Sequence, residues 1–96
     1  MSPKKQIELN KLRSKLDKLD DSFIKLIKKR TDLVKKVLKL KNYKNQIVDK
    51  KRIKIILSKV KRKSIKNKID PKITNRIWKN MIWSYINYER RNFKKK

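Results

Sequence analysis

The chain has 96 residues, enough for one domain around one modest core. It carries 33 Lys and Arg against 8 Asp and Glu, a formal charge of +25 that attracts polyanions and opposes its own compaction. It has no Cys, His or Gly, which excludes disulfides, zinc–thiolate centres, His-based acid–base chemistry and phosphate-cradling glycine loops. Ala is absent too, and Lys, Asn and Ile are crowded, the skew of an AT-rich coding sequence, so much of the basicity is expected on solvated faces. The N-terminal "MSPKKQIELNKL" has no apolar core of signal-peptide length, and no run approaches membrane-spanning length. The expected location is the cytoplasm. No repeat and no linker interrupts the chain, which reads as a single domain over 1–96.

From about residue 6 to 41 helical periodicity is unbroken. Alternate steps of four and three give Leu12, Leu16, Leu19, Phe23, Leu26, Arg30, Leu33, Val37 and Leu40, a heptad seam that is apolar except at Arg30. About 34 helical residues span roughly 50 Å, whereas a compact chain of this size has a radius of gyration of roughly 12 to 13 Å. A seam of that length requires another long helix beside it, and an antiparallel pairing of two copies supplies one. An arginine in such a seam either snorkels, pairs with an aspartate or holds a ligand. Arg30 and Lys41 lie about 20° apart on the helical wheel and roughly 16 Å apart along the axis, so both can reach one small anion. Arg13 is about 25 Å from Arg30 and about 100° around the helix, out of reach within one chain but within reach from an antiparallel partner. Only seven of the 33 basic residues are arginine, which sets Arg13, Arg30 and Arg52 apart as bidentate carboxylate forks.

After "NYKNQIVD", where Asn42, Asn45 and Asp49 are turn or N-cap candidates, Ile53, Ile56, Leu57 and Val60 mark a shorter helix over about 49 to 64. Asp70 as N-cap with Pro71 at the first helical position opens the third. Its expected apolar face runs through Ile73, Ile77, Met81 with Ile82, Tyr85 and Tyr88, widened by Trp78; Trp78 and Trp83 read as packing residues. The final "KKK" is expected to fray. The fold class is all-α, three helices per protomer (long, short, long), in an intertwined homodimer.

These residues carry a resemblance. "ELNKLRSKLDKLDDSFIKLIKKRTDLVKKVLKLK" resembles the first helix of the all-helical class of chorismate mutases, with Leu9, Arg13, Asp17, Leu19, Asp20, Leu26, Arg30 and Lys41 on the family pattern. "IVDKKR" is similar to the family segment with Asp three residues before Arg, placing Asp49 and Arg52, and "RIWKNMI" to the third-helix wording of short bacterial members. The resemblance spans about residue 6 to 89. It implies an intertwined homodimer converting chorismate to prephenate, the branch step toward phenylalanine and tyrosine, without cofactor or metal. It further implies that Arg30 and the partner's Arg13 clamp the two carboxylates of chorismate. Lys41 would donate to the ether oxygen, Arg52 would support a carboxylate, and Asp49 would fix the second helix and the hydroxyl side.

Two positions depart from the pattern. Where the family commonly has a Glu that accepts the substrate hydroxyl, this chain has Ile53. Where it has Ser and, four residues on, a Gln that donates to the ether oxygen, this chain has Tyr85 and Glu89. Tyr85 reads equally as core and Glu89 as a partner for neighbouring cations. Two other readings stay open: a related isochorismate-pyruvate lyase, which shares the scaffold, and a basic helical nucleic-acid-binding protein with lysines on phosphates and aromatics stacking. No named nucleic-acid motif is present, so nucleic acid is expected to bind only through non-specific electrostatics.

Overall fold

The computed structural model describes residues 1–95 and contains three α-helices, α1 (Pro3–Leu40), α2 (Lys50–Lys66) and α3 (Pro71–Asn92), with a single 3-10 turn at Lys44–Gln46. Long, short, long is the expected order, and no strand occurs among the described residues. None of the helices is long and apolar enough to cross a membrane. The chain divides into two units, Met1–Leu33 and Val34–Lys96.

The first unit is the N-terminal run of α1. The helix begins three residues earlier than its periodicity suggests, because Ser2 is an N-cap. The Ser2 hydroxyl accepts from the Lys5 amide at 3.2 Å, the Ser2 carbonyl accepts from Gln6 at 2.9 Å, and Pro3 takes the first helical position, where its missing N–H costs nothing. No residue of α1 is buried. Leu12, Leu16, Leu19, Phe23, Leu26 and Leu33 are each 55 to 61% exposed, so the apolar seam stands uncovered in the single chain.

The second unit owns the core. Ile47, Ile82 and Ile86 are buried, and Val48, Ile53, Ile56, Leu57 and Phe93 pack around them. α2 starts where Asp49 accepts from the Arg52 amide at 3.0 Å, and α3 where Asp70 accepts from Lys72 at 2.9 Å behind Pro71, both as expected. The two helices pack on each other, and a hydroxyl pair joins them. Ser64, 3% exposed, donates to the Val60 carbonyl at 2.6 Å, and its hydroxyl lies 2.6 Å from that of Thr74, which also reaches the Pro71 carbonyl at 3.4 Å. The apolar face of α3 follows the expected one from Trp78 through Met81, Ile82, Tyr85 and Tyr88 and departs from it at the start of the helix. Ile73 and Ile77 are exposed, while Ile82, Ile86 and Glu89 are buried and Thr74, Trp78, Met81 and Tyr85 are half-buried. A short α2 covers only a narrow stripe of α3, and the Ser64–Thr74 contact sets which stripe that is.

α2 runs two residues past its expected end into a Schellman turn. Ile69 donates to the Ser64 carbonyl at 2.9 Å, Lys68 donates to Ile65 at 3.1 Å, and Lys68 sits at φ 58°. That left-handed position usually belongs to Gly, and this chain has none. Holding a side chain there costs about 1 kcal/mol. Lys68→Gly is therefore expected to stabilise the fold by about that amount, read as a rise of a few degrees in Tm by circular dichroism with the helix content unchanged.

Candidate active site

α1 stops at Leu40, and Lys41 follows on a tightened last turn in which its amide donates to Leu38 at 3.1 Å. From there the chain makes one small loop before α2. Ile47 is 3% exposed and pins that loop to the core. α3 approaches with its last turns, and Glu89 comes inward four residues beyond Tyr85 and three beyond buried Ile86.

The Lys41 ammonium meets the Glu89 carboxylate at 2.9 Å, across 48 residues of chain, with the two side chains only 19% and 7% exposed. The Ile47 carbonyl lies 3.5 Å from the same ammonium. A buried carboxylate needs hydrogen bonds and a countercharge, and Lys41 supplies both. Of the two roles left open for Glu89, partner of a cation is the one the structure displays, and the cation is the one that the resemblance places on the ether oxygen. Two positions of the family pattern, far apart in sequence, thus converge on one point.

The other expected residues are distributed as follows. Asp49 is spent on the α2 N-terminus, and Arg52, on the first turn of α2, is exposed with its backbone amide tied to Asp49. Ile53, at the position where the family commonly has Glu, packs against the Ile47–Ile82–Ile86 cluster. Tyr85 is half-buried one turn before Glu89. Arg13 and Arg30 both belong to the first unit, Arg13 exposed and Arg30 half-buried on α1. The second unit therefore brings together Lys41 and Glu89, with Asp49, Arg52, Ile53 and Tyr85 on the elements that flank them.

Sequence reasoning passed over Gln46, Ile47 and Lys95. Gln46 accepts from the Asn42 and Tyr43 amides at 2.7 and 2.9 Å, closing the loop after Lys41. The loop's asparagines were the more conspicuous turn residues, but Asp49 and Gln46 are the side chains that cap. In the C-terminal lysine run, expected to fray, Lys95 is engaged: its ammonium donates to the carbonyls of Lys39 at 2.6 Å and Lys41 at 2.9 Å. Lys96 lies outside the described residues.

No curated protein and no solved structure matches the chain. A family model does: chorismate mutase type II, over residues 12–90. That span takes in Arg13, Arg30, Lys41, Asp49, Arg52 and Glu89, runs through all three helices and covers most of the 96 residues. With the all-helical fold and the meeting of Lys41 with Glu89, it follows that the chain belongs to the chorismate mutase type II family.

Proposed function

We propose that the protein is a chorismate mutase, rearranging chorismate to prephenate for phenylalanine and tyrosine synthesis, as a single functional domain over 1–96 that works as a homodimer. The observation that carries the reading is the buried Lys41–Glu89 pair. A Claisen rearrangement is unimolecular: the ether C–O bond breaks as the new C–C bond forms, with no nucleophile, metal or cofactor taking part. A chain with neither His nor Cys remains competent for it. Catalysis then consists of holding a dianion in its compact chair-like shape and stabilising the charge that develops on the ether oxygen.

Arg30 and the partner subunit's Arg13 clamp the two carboxylates, Arg52 supports one of them, and Asp49 holds the start of α2 beside the substrate hydroxyl. Ile53 gives up the acceptor that a Glu would offer that hydroxyl, and Tyr85 narrows the pocket above Glu89. Lys41 and Glu89 face the ether oxygen. While the carboxylate is ionised it accepts, and it occupies the Lys41 ammonium at 2.9 Å. Adding one proton to Glu89 turns it into a donor and frees Lys41 at the same time, so a single protonation supplies two donors to the breaking bond.

The dimer rests on the uncovered α1 seam. Fully burying a Leu or Phe side chain is worth about 1.5 to 3 kcal/mol relative to leaving it exposed, and a second α1 laid antiparallel buries the row on both chains at once.

Purified protein is expected to consume chorismate, followed as loss of its ultraviolet absorbance, with prephenate as the product. Isochorismate cleavage with pyruvate release would assign it to the lyase branch instead. Neither activity, together with sequence-selective nucleic-acid binding at physiological salt, would overturn the enzyme reading.

Arg13→Ala and Arg30→Ala are each expected to be inactive. After mixing and subunit exchange, statistical pairing leaves one intact site in half of the dimers, so about a quarter of wild-type turnover returns. Proven exchange without recovery, or a stably folded monomer at micromolar concentration, would show that the arginines do not meet across subunits.

Glu89→Gln puts an amide donor in place of the carboxylate, so it is expected to raise turnover at saturating chorismate and neutral pH; one such donor is worth about 3 kcal/mol of transition-state stabilisation. Equal turnover in the two proteins, with folding followed by circular dichroism, would remove Glu89 from the reaction.

A further inference from the structure

Lys41 can place its ammonium only as well as its backbone is placed, and that backbone lies outside any helix. α1 ends one residue earlier, and the last carbonyls of a helix have no partners within it. The peptide unit joining Lys41 to Asn42 is nevertheless held at both of its polar ends. Its carbonyl, the Lys41 oxygen, accepts from the Lys95 ammonium at 2.9 Å. Its N–H, the Asn42 amide, donates to Gln46 Oε1 at 2.7 Å. The same ammonium also takes the Lys39 carbonyl at 2.6 Å, and the same Gln46 oxygen also takes the Tyr43 amide at 2.9 Å. Turning this one peptide plane would break bonds at both of its ends, so the backbone that carries Lys41 past the end of α1 is held to one course.

Both clamping groups are themselves anchored. The Gln46 amide donates back to the Tyr43 carbonyl at 3.0 Å, and its neighbour Ile47 is buried in the core. Lys95 follows Phe93, which packs on that same core beyond the end of α3, and its positive charge sits at the α1 C-terminus, where the helix dipole favours a cation.

We propose that Gln46 and Lys95 are positioning residues for the Lys41 ammonium, holding the Lys41–Asn42 peptide plane from its two sides so that Lys41 meets the reacting ether oxygen in register. The catalytic consequence rests on the mutase reading; the clamp itself does not. Neither residue touches substrate. Gln46 needs only an oxygen that accepts from two amides, which a Glu also provides, and Lys95 needs only a cationic donor, which an Arg also provides.

Two measurements on the full-length protein separate the clamp from the reaction. Amide hydrogen exchange by NMR is expected to find the Asn42 and Tyr43 amides protected in wild type. They should exchange at least about tenfold faster in Gln46→Met, with core amides unchanged. In chorismate kinetics, Gln46→Met and Lys95→Met are expected to lower kcat on the order of tenfold with little change in KM, since a small misplacement of a catalytic group is costly. Gln46→Glu and Lys95→Arg restore most of it. Unprotected amides in wild type would overturn the clamp, whether or not the protein turns over chorismate. Lost protection with unchanged kcat would overturn the positioning role, as would equal losses in the Met and conservative variants. A chain with protected amides but no mutase activity would leave the clamp standing and remove its catalytic consequence.

Discussion

The Glu89 carboxylate is buried, and burial requires a cation within hydrogen-bond reach; much of the second unit is arranged around that requirement. Lys41 is the cation, so the end of α1, the loop to Ile47 and the last turns of α3 must all come to one place. Removing one partner of such a pair costs about 3 to 5 kcal/mol, yet replacing both with apolar groups of similar volume is often neutral or better. Stability alone therefore gives no reason to keep the pair. Two apolar side chains beside Ile47, Ile82 and Ile86 are expected to serve the fold about as well, which fits the catalytic role proposed for the charged pair.

Wherever a local rule operates, the sequence was readable. Asp49 and Asp70–Pro71 open α2 and α3 where capping chemistry places them, and the long first helix follows from unbroken periodicity. Ser2–Pro3 carries the same signal as Asp70–Pro71 and starts α1 early, but the polar residues 4–6 separate it from Ile7 and the periodic pattern. On α3 periodicity placed Trp78, Met81, Ile82, Tyr85 and Tyr88 correctly and misjudged Ile73 and Ile77, which are exposed. Ile73 and Ile77 share a wheel face with Met81, but which stripe becomes core is decided by what covers it. A 17-residue α2, docked through Ser64 and Thr74, selects the neighbouring stripe. The site was legible as positions and not as contacts. Lys41 and Glu89 could be named from the family pattern, but their meeting, and the stitching by Gln46 and Lys95, arise from pairings across 3 to 56 residues that no spacing rule encodes.

The charge imbalance makes the placement of the few acids informative. Asp49 and Asp70 cap helices, Asp32 pairs with Lys28 one turn away at 2.8 Å, and Glu89 is the buried one. Caps use the helix dipole as well as a hydrogen bond, and so retain value in a chain where cations are everywhere. Most lysines, by contrast, stand on exposed faces, and α2 alone carries basic residues at Lys50, Lys51, Lys54, Lys59, Lys61 and Lys66 around its solvent side. Lysine stems can cover apolar surface while their heads stay in water. High basicity is thus compatible with packing, although the mutual repulsion still acts against compaction.

That repulsion bears on the dimer. Three buried aliphatic side chains form a small core for 96 residues, and an isolated helix run with no buried residue has little beyond its own propensity to hold it. In the proposed dimer the α1 seams become a shared core, and the pairing that stabilises the fold is the same pairing that carries Arg13 to the partner's Arg30. Folding, association and assembly of the anion clamp then form one coupled equilibrium. Bringing together two chains of +25 each weakens that equilibrium at low salt, whereas a dianionic substrate seated between the arginines offsets part of the repulsion. In the proposed dimer of so basic a chain, a dianionic substrate would serve as a structural counterion as well as a reactant, and its binding would favour association of the two protomers.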